Sequence, residues 1–267
     1  MSRYLFQHLD ELEKFKDDTR TGIVTDVDGT LSEIAPTPDG AVVSPDMKHQ
    51  LERVKDKYGL VAVLSGRSAV NARNMVGVEG ILYIGNHGLE YLKNGASHVD
   101  QEVKPYLSQV KEAARSIREH PSCPKEGVLW EDKGVCYSIH YRLAPDPEEA
   151  HERILEIVED LDGVKSLKVT EGRKIIEIRP PVGFDKGQIM ERLVDENKLQ
   201  KVIYLGDDIT DADAFTKLRE LRNSGKVEGV GVLVVSDEIP PEVKDSADFH
   251  VHSVDDVLKF FKWINHP

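Results

Sequence analysis

Apolar runs of strand length recur along this chain, each followed by a helical pattern, and that alternation points to a parallel sheet covered by helices. Gly22–Asp26 reads as the first strand. Ser44 caps a helix that has Pro45 at its first position and runs to about Lys57, and Gly59 stops it before the next strand at Leu60–Leu64. A third strand follows at Ile81–Gly85. After Pro180 and Pro181 the same alternation resumes: a helix from Lys186, a strand at Val202–Leu205, a helix from Asp211 and a strand at Val230–Val235.

Between these halves the pattern changes. A charged helix over Gln101–Glu119 precedes strand-like runs at Val128–Glu131 and Val135–Tyr141; a second helix, Pro147–Asp160, precedes runs at Val164–Val169 and Lys174–Ile178. Helix, strand, strand, repeated once, forms an antiparallel sheet with helices on one face. The expectation is an α/β core over residues 1–99 and 180–267 with an inserted α+β domain over residues 100–179. A chain of 267 residues has the length for a core and an insert.

Composition narrows the setting. The N-terminal MSRYLFQHLDELEKFKDD reads as a charged amphipathic helix without the apolar centre of a secretory signal, and no apolar run reaches bilayer length, so the expected location is the cytoplasm. Two cysteines, Cys123 and Cys136, make no disulfide framework. A formal net charge of −13 disfavours nucleic acid and anionic membranes as partners. An anionic substrate would need a local cationic site.

Chemistry enters at strand ends, where open α/β sheets bind ligands. Asp26-Val27-Asp28-Gly29-Thr30 follows the first strand. Two carboxylates on one strand face repel unless a cation or a shared proton relieves them, and Mg²⁺ would do so. Gly29 permits a tight departure, and Thr30 offers a hydroxyl to a phosphate or to the loop. Asp-Gly is also a common turn pair, as at Asp39-Gly40 and Asp162-Gly163, but only Asp28-Gly29 has the second Asp, the Thr and the preceding strand. A second apolar strand ends in Gly206-Asp207-Asp208-Ile209-Thr210-Asp211. Oxygen-only ligands suit Mg²⁺, and Asp207 is the expected ligand. Asp208 and Asp211 join it as direct ligands or as supports of the metal's water shell, and Asp211 reads equally as a helix cap.

Ser65-Gly66-Arg67 lies between a strand and a helix, where the Ser65 hydroxyl and backbone N–H groups of Gly66 and its neighbours can hold a phosphate. Asp185-Lys186-Gly187 opens another helix and supplies a cation to balance carboxylates and phosphoryl oxygens.

In this order, the four elements resemble the haloacid dehalogenase superfamily of aspartate-nucleophile phosphatases. The resemblance implies a Rossmann-like core with a type C2 cap. It makes Asp26 the nucleophile and Asp28 the general acid and base, with Ser65 and Lys186 on the phosphoryl group. It implies Mg²⁺ on the Asp26 and Asp207 side chains and the Asp28 backbone carbonyl. Three further segments resemble the trehalose-6-phosphate phosphatase family within it: Gly85-Asn86-His87-Gly88-Leu89-Glu90, Glu131-Asp132-Lys133-Gly134 with His140-Tyr141-Arg142, and Gly172-Arg173 with Glu177-Ile178-Arg179-Pro180. The resemblance assigns Glu131, Lys133 and Glu177 to sugar hydroxyls and Arg142 to the phosphate or cap closure, with Arg67, Asn86 and His87 as further substrate contacts. A cross-strand ion pair between Glu131 and Lys133 is the plain structural alternative.

Ala212, where the family usually has an acid, and the polar Thr25 before the nucleophile are departures. His250 and His252 are expected on an edge strand. The implied partner is a sugar phosphate, trehalose 6-phosphate first and another glycosyl phosphate second, with functional pairing to a trehalose-phosphate synthase. A sensor that binds without turnover would lack one of the two acids, and both are present.

Overall fold

The structure is a computed structural model that describes residues 2–266 apart from Pro36, Pro38, Asp39, Asn94, Arg173, Asp237 and Glu238. The Asp39-Gly40 turn and the Gly172-Arg173 pair therefore fall partly outside the described residues. The chain opens with β1 (Arg3–Tyr4), β2 (Thr21–Thr25), α1 (Pro45–Lys55), β3 (Leu60–Leu64), α2 (Ala69–Val76), β4 (Leu82–Gly85), β5 (Glu90–Lys93) and β6 (Ala96–Val99). It continues through α3 (Leu107–Glu119), β7 (Leu129–Asp132), β8 (Tyr137–His140), α4 (Pro147–Asp160), β9 (Lys168–Gly172) and β10 (Ile175–Arg179). It closes with α5 (Lys186–Glu196), β11 (Lys201–Gly206), α6 (Ile209–Asn223), β12 (Glu228–Val234), α7 (Pro241–Lys244), β13 (Phe249–Val251) and α8 (Val254–Asn265). Two compact units result, one from Met1–His98 with Phe184–Pro267 and one from Val99–Gly183.

The first unit carries a nine-stranded sheet in the order β1-β13-β12-β11-β2-β3-β4-β5-β6, parallel from β1 to β4 with β5 antiparallel to β4. Period-two alternation sorts its side chains into two cores. Ile23, Val61, Val63, Ile203, Leu205 and Val232 face one, which α1 and α8 cover; Val24, Ala62, Leu64, Val202, Tyr204 and Leu233 face the other, under α5 and α6. Strand β2 is buried along its whole length and lies between β3 and β11, with Thr25 level with Val63 and Leu205. Three parallel strands thus end at one level, ahead of Asp26, Ser65 and Asp207.

The second unit has the four-stranded sheet β7-β8-β10-β9, antiparallel throughout. Ile139, Ile176 and Ile178 join α3 and α4 in an apolar core. Glu131, Ser138, Glu177 and Thr170 are aligned across the strands with the opposite parity.

Several expectations need correction. Residues 5–15 form two 3-10 segments, Leu5–Gln7 and Leu9–Phe15, rather than an α-helix. The spacing of Leu9, Leu12 and Phe15 is three, which aligns them in a 3-10 geometry, and Leu12 and Phe15 are buried in the core. Tight turns occupy Leu161–Leu167, with Val164 N–H donating to Leu161 O and Leu167 N–H to Val164 O, so the strand expected from Val164 begins at Lys168. The hairpin of β5 and β6 has no clear sequence signal, because its strands are four residues each and β6 is largely exposed. His250 lies on β13, which is flanked by β1 and β12 and is not an edge strand; His252 follows that strand.

Tyr83, in β4, ties the turn after α2 to the sheet. Its hydroxyl donates to Val78 O at 2.7 Å and accepts from Val78 N–H at 3.3 Å. Burial pushes its hydroxyl up to about 12, so between pH 10 and that value the folded state keeps a proton that the unfolded chain has lost, and stability falls as pH rises. We expect Tyr83→Phe to be less stable by about 1 kcal/mol at pH 8, with the gap narrowing towards pH 11, as read by urea denaturation across that range.

Candidate active site

At the shared strand end, the sequence enforces close approach. Gly29 has φ +79°, and a Cβ there would lie 2.0 Å from Asp207 Oδ2. A Cβ on Gly206 would lie 2.3 Å from Asp211 Cγ. Glycine at 29 lets the two acidic loops meet, and glycine at 206 lets Asp211 of the same loop fold back onto its own strand end. The Asp26 N–H donates to Leu205 O at 2.9 Å, which continues the sheet pairing into the site. Thr25 is explained locally: its buried hydroxyl donates to the Asp26 carbonyl at 2.9 Å.

Carboxylate oxygens of Asp26, Asp207 and Asp211 lie within 4.8 Å of one another, and all three residues are buried. Lys186, at the first position of α5 behind the cap Asp185, sends its ammonium into this group. Its Nζ is 2.6 Å from Asp211 Oδ1 and 3.2 Å from Asp26 Oδ2, with 1% of the side chain exposed. One cation against three carboxylates leaves an excess of negative charge. Burial, partly offset by Lys186 and reinforced by Asp211 and Asp28, pushes Asp26 up to about 7. Burial and the neighbouring acids raise Asp207 well above the usual carboxylate range. Burial would also raise Asp211, but the charge and hydrogen bond of Lys186, with the Tyr204 hydroxyl and a backbone amide, hold it low. Lys186 is raised: burial opposes its charge, and the carboxylates overcome that.

The acids differ in how their oxygens are used. Asp211 Oδ1 accepts from Lys186 and from the Tyr204 hydroxyl, and Oδ2 accepts from the Asp207 and Asp208 N–H groups at 2.9 Å each. Asp208 caps α6 by accepting from Ile209 N–H, with Asp211 completing a capping box. Asp26 Oδ1 and Asp207 Oδ1 are buried without a hydrogen-bond donor. Such oxygens carry a desolvation penalty that a hard cation would remove. The Thr30 hydroxyl is likewise buried without a partner, so the loop does not use it.

Asp28 is held from outside this cluster. Arg67 donates to both of its oxygens through Nε and Nη2, at 2.6 Å each. Helix α2 begins at Ala69 with Ser68 as its cap, so Ser65-Gly66-Arg67 is a loop ahead of the helix and not its first turn. Ser65 Oγ accepts from Arg67 N–H at 3.2 Å. Asn86 and His87 take left-handed backbone angles and pack on this loop, where a Cβ on Gly66 would lie 2.8 Å from His87 Nε2.

In the second unit, Lys133 Nζ is 2.7 Å from Glu177 Oε1, which also accepts from Ser138 at 2.8 Å. Glu131 is 2.9 Å from His140 Nε2. The close carboxylate partner of Lys133 is thus Glu177, two strands away in the sheet, with Glu131 adding to the field. Arg142 is exposed in the turn after β8. Sequence patterns assign no role to Tyr204 or Ser138, and they carry His140 only as part of the family-like segment His140-Tyr141-Arg142. A lone tyrosine in the otherwise apolar run Val202–Leu205 was the available signal for the first.

The trehalose-phosphatase family model matches residues 24–255. The chain belongs to the trehalose-phosphatase family. It is 37% identical over 199 residues to a trehalose-phosphate phosphatase of Mycobacterium tuberculosis, a match covering 71% of this chain and 49% of that protein. The chain therefore spans about half the length of the mycobacterial relatives it matches. The solved C-terminal domain of the C. albicans trehalose-6-phosphate phosphatase superposes with TM-score 0.77 at 23% identity, covering 99% of this chain and 98% of that one. A haloacid dehalogenase-like hydrolase from Bacteroides thetaiotaomicron superposes with TM-score 0.61 at 18% identity, covering 91% and 99%. At these identities the likeness is one of fold: a Rossmann-like parallel sheet with a separate α+β unit, as this family member's strand pattern implies. Among the described residues, no helix is long and apolar enough to cross a membrane.

Asp211 neutralises Lys186 and pins two loop amides, so removing its charge leaves a buried cation short of its partner. We expect Asp211→Asn to lower the unfolding free energy by about 3 kcal/mol, measured by urea denaturation at pH 7.

Proposed function

We propose that this chain hydrolyses trehalose 6-phosphate to trehalose and phosphate, with Mg²⁺ and through a phosphorylated Asp26. The observation that carries this reading is the pair of donor-free carboxylate oxygens, Asp26 Oδ1 and Asp207 Oδ1, beside the buried Lys186. The donor set is all oxygen, as Mg²⁺ requires, and the unbalanced negative charge calls for a divalent cation. Asp26, Asp207 and the Asp28 carbonyl would hold it, with Asp211 behind them as the anchor of Lys186 and the Asp207 loop, and Asp208 as a helix cap. When bound, Mg²⁺ would supply positive charge to the phosphoryl oxygens.

The chain's own residues then divide the work. Asp26 attacks phosphorus, the bond from phosphorus to the sugar oxygen breaks, and Asp28 gives that oxygen a proton. In the second step Asp28 takes a proton from water as the water attacks the phosphoaspartate, and phosphate leaves with Asp26 restored. Arg67 occupies both Asp28 oxygens in the present geometry, so Asp28 must release one of these bonds to act, and the arriving phosphate is an anion that competes for the guanidinium. Lys186, Ser65, the Gly66 amide and the Thr30 hydroxyl hold the phosphoryl oxygens.

The second unit is assigned as the cap that reads the sugar, with Glu131, Lys133 and Glu177 on hydroxyls and Arg142 on the phosphate or on cap closure; Asn86 and His87 are further substrate contacts. Support comes from the polar row Glu131, Ser138 and Glu177 on the parity opposite to the apolar core of that unit. The family membership and the name of the mycobacterial relative favour trehalose 6-phosphate over other esters. A cytoplasmic setting fits two buried cysteines that form no disulfide. Functional pairing with a trehalose-phosphate synthase, as the source of this substrate, belongs to the same reading.

Phosphate release from trehalose 6-phosphate, glucose 6-phosphate and sucrose 6-phosphate tests the proposal directly. We expect preference for the trehalose ester, loss with EDTA, and a fall of more than about a thousandfold in Asp26→Asn. Release from another glycosyl ester alone would discard the substrate, and release from none would discard the function. The raised Asp26 supplies a further check, because a carboxyl protonated below about 7 must lose its proton to bind a cation. Calorimetry in buffers of differing ionisation enthalpy should show Mg²⁺ binding releasing about one proton or more at pH 6 and fewer at pH 8.

A further inference from the structure

A buried carboxylate that the proposed mechanism does not use, Glu90, stands at the first position of β5, opposite Gly85 in β4. It is 6% exposed. Its Oε1 accepts two hydrogen bonds, from Ala69 N–H at 2.8 Å and from Asn86 Nδ2 at 3.0 Å. Burial raises its carboxyl, and these two bonds oppose that rise.

What it joins is a strained loop and a helix start. Asn86, His87 and Gly88 have φ of 51°, 55° and 105° in succession. For the two that are not glycine this left-handed backbone is unfavourable, and such a conformation persists only where its surroundings over-determine it. Asn86 N–H donates to Arg67 O at 2.8 Å and His87 N–H to Ser65 O at 3.0 Å, so the strained backbone grips both ends of Ser65-Gly66-Arg67. The helix side of that segment is gripped by Glu90 through Ala69. Gly85 leaves the space for this, since a Cβ there would lie 2.1 Å from Ala69 N. Arg67 in turn forks onto Asp28.

We propose that Glu90 is a positioning residue: one oxygen, shared between the α2 start and the Asn86 amide, fixes the loop that aims Ser65 and Arg67 at the phosphoryl group and at Asp28. This rests on the proposed phosphatase reading, and the chain of contacts runs entirely within the first unit. The acceptor is the required property. Glutamine keeps a side-chain carbonyl at the same place, whereas methionine fills the volume without an oxygen acceptor.

The test compares wild type, Glu90→Gln and Glu90→Met, with Glu90→Ala as a second variant, at 25 °C after circular dichroism has established folding. Three quantities are read: kcat/KM for trehalose 6-phosphate, Mg²⁺ affinity, and affinity for inorganic phosphate in the presence of Mg²⁺. In Glu90→Met we expect kcat/KM to fall about tenfold to a hundredfold and phosphate to bind about tenfold more weakly, with Mg²⁺ affinity unchanged and Glu90→Gln within about threefold of wild type. An active wild type with an equally active Glu90→Met overturns the inference, as does a Glu90→Gln that is as impaired as Glu90→Met. If neither Glu90→Met nor Glu90→Ala folds, Glu90 supports the core and the inference also falls. A wild type that hydrolyses no ester refutes the phosphatase reading alone; phosphate affinity then decides the role of Glu90, and unchanged binding in Glu90→Met overturns it.

Discussion

One buried ammonium against three buried carboxylates is the constraint on which the site depends. Lys186 is placed by the start of α5, Asp211 by the first turn of α6, Asp26 by the end of β2 and Asp207 by the end of β11. Removing Lys186 or its close partner Asp211 leaves a buried charge uncompensated in a low-dielectric interior, so the starts of α5 and α6 are locked to each other through electrostatics as well as packing, with Asp26 drawn to the same ammonium. The lock is uneven. Asp211 is saturated with donors and stays charged, while Asp26 and Asp207 keep one bare oxygen each and are raised. That asymmetry separates an anchoring acid from acids fit to bind a cation, although all three are aspartates at strand or helix ends.

Around this centre the loops are held by backbone contacts that tolerate no side chain. Gly29 and Gly206 face Asp207 and Asp211 within distances no Cβ could occupy. On the other side, the Ser65-Gly66-Arg67 loop hangs between β3 and α2 and is gripped by the left-handed Asn86-His87 backbone. The geometry of this candidate site is therefore built from strain and close approach, both borne by a sheet whose central strand β2 is wholly buried. A rigid scaffold of this kind suits chemistry in which groups must be aimed before the substrate arrives.

In the second unit, charge is arranged differently. Lys133, Glu177 and Ser138 form one hydrogen-bonded set and Glu131 with His140 another, on a sheet whose other parity is apolar. Glu131, Ser138 and Glu177 share one parity of the sheet, opposite to the apolar one.

Much of this was legible in the chain itself. Local patterns decide which segments form strands and helices, so the parallel core, the repeated helix-strand-strand insert and the acidic strand ends could be read from residue order, with α4 found at its observed limits. Where tertiary packing outweighs local preference, local pattern and structure part: residues 5–15 adopt 3-10 turns to bury Leu12 and Phe15, and Val164 lies in a turn. Partners lay further out of reach, because a hydrogen bond between residues such as Lys186 and Asp211, Arg67 and Asp28, or Glu90 and Ala69 depends on which strand ends the sheet order makes adjacent. The sequence determined the inventory of charged groups and the elements that carry them. Only the tertiary structure decided which oxygens are satisfied and which are left bare, since that depends on distances between segments that no local pattern encodes.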